Sequence, residues 1–234
     1  AWPEDIAKYK GKYDEGYEKT RLARYKKQLE MGLIDDTYKL SDATHKNWEE
    51  LDDTIRAEEI RKMEVYAAMI DRMDQNIGRV LAKLKEIGKD ENTLILFVSD
   101  NGASSEMVNI KDDFGEIGTM TRWSSLGGDW ANVGNTPFRL FKNFSYEGGI
   151  NTPCIAYWPG KIKPKTFNEF PGHFIDFMAT FVNISGAEYP VNFNNQEIVP
   201  MQGESLLPIF RGKNKKREKP IFWEWRRGRA VYSD

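Results

Sequence analysis

The stretch that most constrains the fold runs from Thr93 to Ser104 and reads T-L-I-L-F-V-S-D-N-G-A-S. Leu94 to Val98 are apolar without alternation and rich in branched and aromatic side chains, which is typical of a strand buried on both faces of a parallel sheet. Asp100 and Asn101 follow where that strand would end. Because ligands bind beyond the carboxyl ends of the strands in open α/β sheets, these two side chains could ligate a hard cation there.

The tripeptide D-N-G is also a common turn signal, because Asn and Gly tolerate positive φ. A hairpin requires a second alternating run directly after Gly102, whereas residues 103–113 are polar and irregular. The order of the residues therefore favours a site at the end of a strand over a hairpin turn.

A long amphipathic helix is predicted immediately before this strand. Its apolar residues recur at steps of three and four, which places them on one face of a helix. They are Ile60, Met63, Ala67, Ile70, Met73, Ile77, Val80, Leu81, Leu84 and Ile87. Asp52, Asp53 or Thr54 can cap the start and Gly88 can end the helix, which gives about 33 residues and about 50 Å. We interpret its methionines as core packing, and the helix-to-strand order fits a layered α/β domain.

The remaining elements are predicted with weaker signals. Helices are expected over residues 13–30 and 173–185, each followed by a terminating glycine, and strands over residues 221–225 and 229–232. Residues 33–47, 103–135 and 189–200 are interpreted as loops, and residues 203–210 as a turn or short helix. His45 is expected to be an exposed loop histidine. Trp123 and Trp130 either line a substrate cleft or attach their long loop to the core.

A second informative stretch covers residues 135–160 and reads N-T-P-F-R-L-F-K-N-F-S-Y-E-G-G-I-N-T-P-C-I-A-Y-W-P-G. Lys142 follows an apolar segment, where it could serve as a fixed positive charge for a tetrahedral oxyanion. The alternative is a surface lysine whose stem packs on apolar neighbours. Residues 154–158 are interpreted as a buried strand, in which Cys154 would be an inert buried residue.

The charge balance and composition exclude several classes of protein. The 34 Lys and Arg nearly balance the 36 Asp and Glu, so the net charge of −2 gives no reason to expect binding to nucleic acid or to an anionic membrane. No apolar run approaches the roughly 20 residues of a membrane span. Cys154 is the single cysteine, which excludes an internal disulfide and a cysteine-based zinc site.

These residues together resemble the second half of a type I sulfatase, of the arylsulfatase branch within the alkaline-phosphatase-like superfamily. The resemblance is carried by F-V-S-D-N-G-A-S and, about forty residues later, by the stretch at 135–160. It extends to K-Y-K-G-K-Y-D-E-G-Y, M-E-V-Y-A-A-M-I-D-R-M-D-Q-N-I-G-R-V, H-F-I-D-F-M-A-T and F-W-E-W-R-R-G-R-A-V. Related phosphodiesterases and phosphomutases typically carry histidine at the position of Asn101, which favours a sulfatase.

The resemblance implies a fold and a set of roles. The fold would be part of a layered mixed α/β sheet flanked by helices over residues 1–190, followed by the start of a small antiparallel sheet subdomain over residues 191–234. Asp100 and Asn101 would be calcium ligands, and Lys142 would contact the sulfate or stabilise the leaving oxygen. The substrate would be a small sulfate ester or a sulfated sugar. A periplasmic or secreted parent enzyme is implied.

The family hydrolyses sulfate esters with a formylglycine that is made from the Cys or Ser of a C/S-x-P-S-R motif. No such motif occurs in the 234 residues, and Cys154 lacks the required proline two positions later. We therefore expect a C-terminal portion of an arylsulfatase-like enzyme that is inactive by itself. The alternative is a non-catalytic, stand-alone relative that binds a ligand or a partner.

A portion that lacks the other strands of its sheet should expose apolar surface and unpaired strand edges. We therefore expect the 234-residue chain to form dimers or larger species, to be measured by light scattering. A folded chain that stays strictly monomeric at high concentration would contradict this expectation.

Overall fold

The computed structural model describes residues 1–233. The chain divides into two compact units. The first comprises Ala1–Gly88 and Val98–Pro153, and the second comprises Lys89–Phe97 and Cys154–Asp234. The predicted division at residue 190 stays a prediction.

The first unit is helical. Its helices are α1 (Pro3–Ala7), α2 (Gly16–Glu30), α3 (Asp53–Glu86), α4 (Gly127–Gly134) and α5 (Glu147–Ile150), with a 3-10 turn at Trp48–Glu50. The second unit contains a 3-10 turn at Asp90–Asn92, strands β1 (Ile95–Val98, whose last residue belongs to the first unit) and β2 (Cys154–Tyr157), and helix α6 (Ile175–Ser185). It continues with β3 (Asn192–Phe193), β4 (Gln196–Glu197), α7 (Leu207–Phe210), β5 (Ile221–Trp225) and β6 (Gly228–Tyr232).

The strands pair two by two. Strand β1 pairs with β2, β3 pairs with β4, and β5 pairs with β6. The last two pairs are antiparallel, and Ile221 lies opposite Tyr232 in the larger one. The hairpin of β3 and β4 lies in a segment that was expected to be a loop, while the sheet of β5 and β6 confirms the predicted small C-terminal antiparallel sheet.

Helix α3 confirms the long helix that precedes the first strand. It has 34 residues, and the side chain of Asp52 accepts a hydrogen bond from the backbone N–H of Ile55 at its start. Gly88, just beyond its end, adopts a positive φ of 64°, a conformation that glycine reaches without steric cost. The capping residue Asp52 and the terminating residue Gly88 therefore predicted both ends of the helix correctly.

The core of the first unit is built on aromatic rings. Tyr17 packs edge-on against Trp48 and Trp130, with ring centroids 4.9 and 4.7 Å apart. The Trp130 indole N–H donates to the carbonyl of Glu59 at 3.1 Å, so α4 is joined to α3. Edge-to-face contacts of this kind add about 0.5–1.5 kcal/mol each beyond the burial of their area.

Two further expectations about loops are wrong. Residues 127–134 form α4 rather than loop, because burial of Trp130 and Val133 stabilises a helix that contains three glycines. His45 is not an exposed histidine without a partner. Its side chain is only 8% exposed, and its Nε2 lies 2.8 Å from the Glu18 carboxylate.

The expected burial of the central strands and of the methionine stripe is also wrong in part. Phe97 on β1 and Ile155 on β2 are exposed, and so is Cys154, because within residues 1–233 this sheet consists of the two strands alone. On α3, Met63 packs against the aromatic core, whereas Met73 is exposed. The half of α3 nearer its carboxyl end thus presents an uncovered apolar face.

The second unit is organised by a buried ion pair. The Asp176 carboxylate, at the start of α6, accepts two hydrogen bonds from the guanidinium of Arg217, at 2.7 and 3.0 Å. Both side chains are almost fully buried. Asp176 also accepts from the backbone N–H groups of His173 and Glu204, so its oxygens are fully engaged. This pair fixes the segment before β5 against α6.

No helix in the described part of the chain combines the length and the apolar character that crossing a membrane requires.

Replacing Asp176 with asparagine would leave the Arg217 charge buried and uncompensated. We expect the free energy of unfolding to fall by about 3–5 kcal/mol, measured by urea denaturation. The matched control is Glu224→Gln, which breaks an exposed ion pair with Arg229 in the same unit and should cost at most about 1 kcal/mol. Equal effects of the two substitutions would show that the buried pair does not organise this unit.

Candidate functional site

The candidate site begins where β1 ends. Asp100 and Asn101 follow β1 after a single intervening residue, and the backbone N–H of Gly102 donates to the carbonyl of Gly149 at 3.0 Å. A Cβ atom on Gly102 would lie 1.7 Å from the carbonyl oxygen of Gly148, which is far inside contact distance. The glycine therefore permits the end of the strand to meet the Gly148–Gly149 segment backbone to backbone.

The Lys142 segment is attached to the same loop. The backbone N–H of Lys142 donates to the carbonyl of Ala103 at 3.0 Å. The Asn135 side chain accepts from the N–H of Ala103 at 2.9 Å and donates to the carbonyl of Leu140 at 3.0 Å. The two stretches that the sequence singled out are thus joined by hydrogen bonds, three residues after Asp100.

The two glycines of the second stretch are needed for a different contact, in which that stretch folds back on itself. A Cβ atom on Gly148 would lie 2.1 Å from the Leu140 carbonyl oxygen, and one on Gly149 would lie 2.0 Å from that of Phe144. Both glycines lie in the short helix α5, which begins five residues after Lys142. Side chains are excluded at both positions by backbone atoms.

The Lys142 ammonium forms an ion pair that the sequence did not indicate. Its Nζ lies 3.0 Å from Oε2 of Glu106, and the Glu106 carboxylate also accepts from the Ser104 hydroxyl at 3.0 Å and the Asn143 amide at 3.4 Å. The hydrogen bond from Lys142, followed by those from Ser104 and Asn143, lowers the pKa of Glu106. Glu106 lies in an irregular polar loop, so neither periodicity nor spacing distinguishes it from its neighbours.

The side-chain oxygens of Asp100 and Asn101 are the ligand type that a hard cation prefers, but they are too few to fill its coordination shell. Asp100 is exposed, and Asn101 donates its amide to the carbonyl of Gly102 at 2.8 Å, which leaves the carboxamide oxygen as its remaining polar atom. One carboxylate and one amide oxygen match the ligand chemistry of calcium, which takes six to eight oxygens. Across residues 1–233 no group of three or more His, Cys, Asp or Glu side chains is arranged to hold a metal. Two ligands would therefore leave most of the calcium shell to other donors.

The two tryptophans of the following segment have different environments. Trp130 is 1% exposed and belongs to the aromatic core, so it attaches its segment to the protein. Trp123 is 55% exposed, and its indole N–H donates to the Ser125 hydroxyl at 3.2 Å. Of the two, only Trp123 exposes its side chain to solvent.

A family model described as Sulfatase matches residues 3–187, which include every candidate site residue. The chain belongs to the sulfatase family.

Curated relatives agree with this assignment. An uncharacterised sulfatase of Schizosaccharomyces pombe is 31% identical over 231 residues, which cover 89% of this chain and 42% of the relative. The arylsulfatase of Klebsiella aerogenes is 30% identical over 229 residues, which cover 92% of this chain and 49% of that enzyme. The chain thus spans less than half the length of these two relatives.

Solved structures confirm the layered α/β fold class. Ps i-CgsB aligns with a TM-score of 0.54 at 21% identity, over 86% of this chain and 38% of that one. A protein solved with its substrate D-glucosamine-2-N,6-O-disulfate aligns with a TM-score of 0.52 at 22% identity, over 81% of this chain and 33% of that one. At these identities the likeness concerns the fold.

The backbone contact at Gly102 can be tested by adding one methyl group. Gly102→Ala should lower the free energy of unfolding by about 1–3 kcal/mol, because the new Cβ collides with a backbone carbonyl that cannot rotate away. It should also shift the amide resonances of Ala103 and Lys142. The control is Gly78→Ala, where α3 leaves open space and the change should stabilise by about 0.5–1 kcal/mol. Unchanged stability and resonances in Gly102→Ala would show that the contact is not needed.

Proposed function

We propose that this chain supplies the calcium ligands Asp100 and Asn101 and the sulfate-contacting Lys142 of a sulfate-ester hydrolase. The observation that supports it is the set of backbone hydrogen bonds from Gly102 to Gly149 and from Lys142 to Ala103, which joins the two informative stretches. That set lies within the residues that match the sulfatase family. A carboxylate and an amide oxygen suit a calcium ion, and a calcium ion together with a lysine would suit the recognition of a tetrahedral anion.

Each residue has a separate role in this proposal. Asp100 and Asn101 would hold part of the calcium shell, and calcium when bound would supply positive charge to the sulfate oxygens. Lys142 would hold its ammonium where negative charge develops as the ester bond breaks, an interaction that is stronger in the transition state than in the ground state. Gly102, Gly148 and Gly149 would position these groups through the backbone.

The nucleophile in this proposal is a formylglycine from outside the 234 residues. Cys154 is followed by Ile155 and Ala156, so it does not have the sequence that is converted to formylglycine. This chain covers less than half the length of two sulfatase relatives. That coverage supports the proposal that a further segment carries the nucleophile. We therefore infer that the 234 residues alone do not hydrolyse sulfate esters.

The substrate class is proposed as a sulfate monoester. The arylsulfatase relative supports testing an aryl sulfate, and the neighbour that was solved with glucosamine disulfate supports testing a sulfated sugar. The exposed ring of Trp123 could stack on either kind of ring.

Calcium binding tests the metal ligands directly. We expect the 234-residue chain to bind calcium weakly, with a dissociation constant of about 10⁻⁴–10⁻³ M or above, because only one charged ligand is present. Calorimetric titration should show that Asp100→Asn abolishes this binding, whereas the control Asp74→Asn, on the exposed surface of α3, leaves it unchanged. Micromolar binding that survives Asp100→Asn would place the metal site elsewhere.

Hydrolysis tests Lys142. With an aryl sulfate and calcium, the 234-residue chain should show no turnover. In a longer protein that joins these residues to a C/S-x-P-S-R segment, Lys142→Ala should lower kcat by about 100-fold, the loss typical of removing one donor to a developing oxyanion. The control Lys111→Ala removes an exposed lysine from the loop after β1 and should leave kcat unchanged. Turnover by the isolated chain, or full activity of Lys142→Ala, would contradict the proposal.

A further inference from the structure

We propose that Glu106 is an internal competitor for the anion site, which holds the Lys142 ammonium and weakens the binding of a sulfate group to it. This inference rests on the proposed role of Lys142 as the sulfate-contacting lysine. Its physical basis is the ion pair between the two side chains, with Oε2 of Glu106 at 3.0 Å from Nζ of Lys142. An oxygen of a sulfate monoester would make the same charge-assisted hydrogen bond that this carboxylate oxygen makes now.

The Glu106 carboxylate and an incoming sulfate would compete for the Lys142 ammonium. Lysine has three N–H donors, so an incoming sulfate could reach Lys142 while Glu106 remains, since 35% of the Lys142 side chain is exposed. The sulfate would then lie within a few ångström of a carboxylate of the same sign, and this repulsion weakens its binding. Removing the Glu106 charge, or moving it away, relieves the repulsion.

The release of Glu106 is inexpensive in this structure. Its side chain is 47% exposed, so water can replace the bond to Lys142. The Ser104 hydroxyl and the Asn143 amide remain as donors to the carboxylate. Residues 107–110, which follow Glu106, are all exposed, so the loop can shift without uncovering a core. Glu106 therefore sets how tightly an anion binds at Lys142.

The test uses inorganic sulfate as the probe and the 234-residue chain as the protein. Sulfate is titrated at constant ionic strength, with sodium chloride as the balance, and binding is followed by calorimetry and by the resonances of Lys142. We expect Glu106→Gln to lower the dissociation constant for sulfate about tenfold, the effect of removing one nearby like charge at a solvated surface. The matched control Glu116→Gln removes an exposed carboxylate from the same loop and should change nothing.

Variants of Lys142 separate this inference from the proposed function. In Lys142→Ala and in the double variant Lys142→Ala/Glu106→Gln, sulfate binding should be lost. If Lys142→Ala abolishes binding but Glu106→Gln leaves it unchanged or weaker, the competitor role is overturned and the anion-binding role of Lys142 stands. If Lys142→Ala leaves sulfate binding intact, the proposed role of Lys142 fails, and with it this inference. Absence of sulfate binding in both the unaltered chain and Glu106→Gln also overturns the competitor role.

Discussion

The arrangement of the candidate site depends on a contact between two stretches of bare backbone. Gly102 meets the Gly148–Gly149 segment so closely that a methyl group on Gly102 would overlap the carbonyl oxygen of Gly148. Because this contact uses main-chain atoms, it does not depend on side-chain rotamers, and it fixes the loop after β1 relative to the segment that carries Lys142. Substitution of side chains elsewhere in the site would therefore leave these main-chain hydrogen bonds in place.

Electrostatics serve different purposes in the two units. In the first, the pair between Lys142 and Glu106 is half open to solvent, so the two partners can separate at small cost. In the second, Asp176 and Arg217 are removed from water and each is held by further hydrogen bonds, so their separation would leave a buried charge. The exposed pair is suited to exchange with a ligand, and the buried pair is suited to hold a fixed structure.

The sequence was most informative where local signals define an element. Helix α3 has a capping aspartate at one end and Gly88 just beyond the other, so its limits could be predicted within one or two residues. Helix α4 could not, because a short segment with three glycines becomes helical only through the burial of Trp130 in a core assembled from distant residues. The ion pair of Glu106 was missed for the same reason, since it joins residues 36 apart through a loop without a pattern. Taken alone, the apolar runs of β1 and β2 predicted burial, whereas the expected lack of the other strands of the sheet predicted the exposure of Phe97 and Ile155.

The separation of Asp176 from Arg217 along the chain has a consequence for synthesis. The two residues are 41 positions apart, so the ribosome produces all of α6 well before it adds the arginine that neutralises the aspartate. Until then the nascent helix carries the Asp176 carboxylate without the Arg217 guanidinium that neutralises it in the folded chain. A chain that terminates before position 217 would keep that carboxylate in water and could not close the second unit around it.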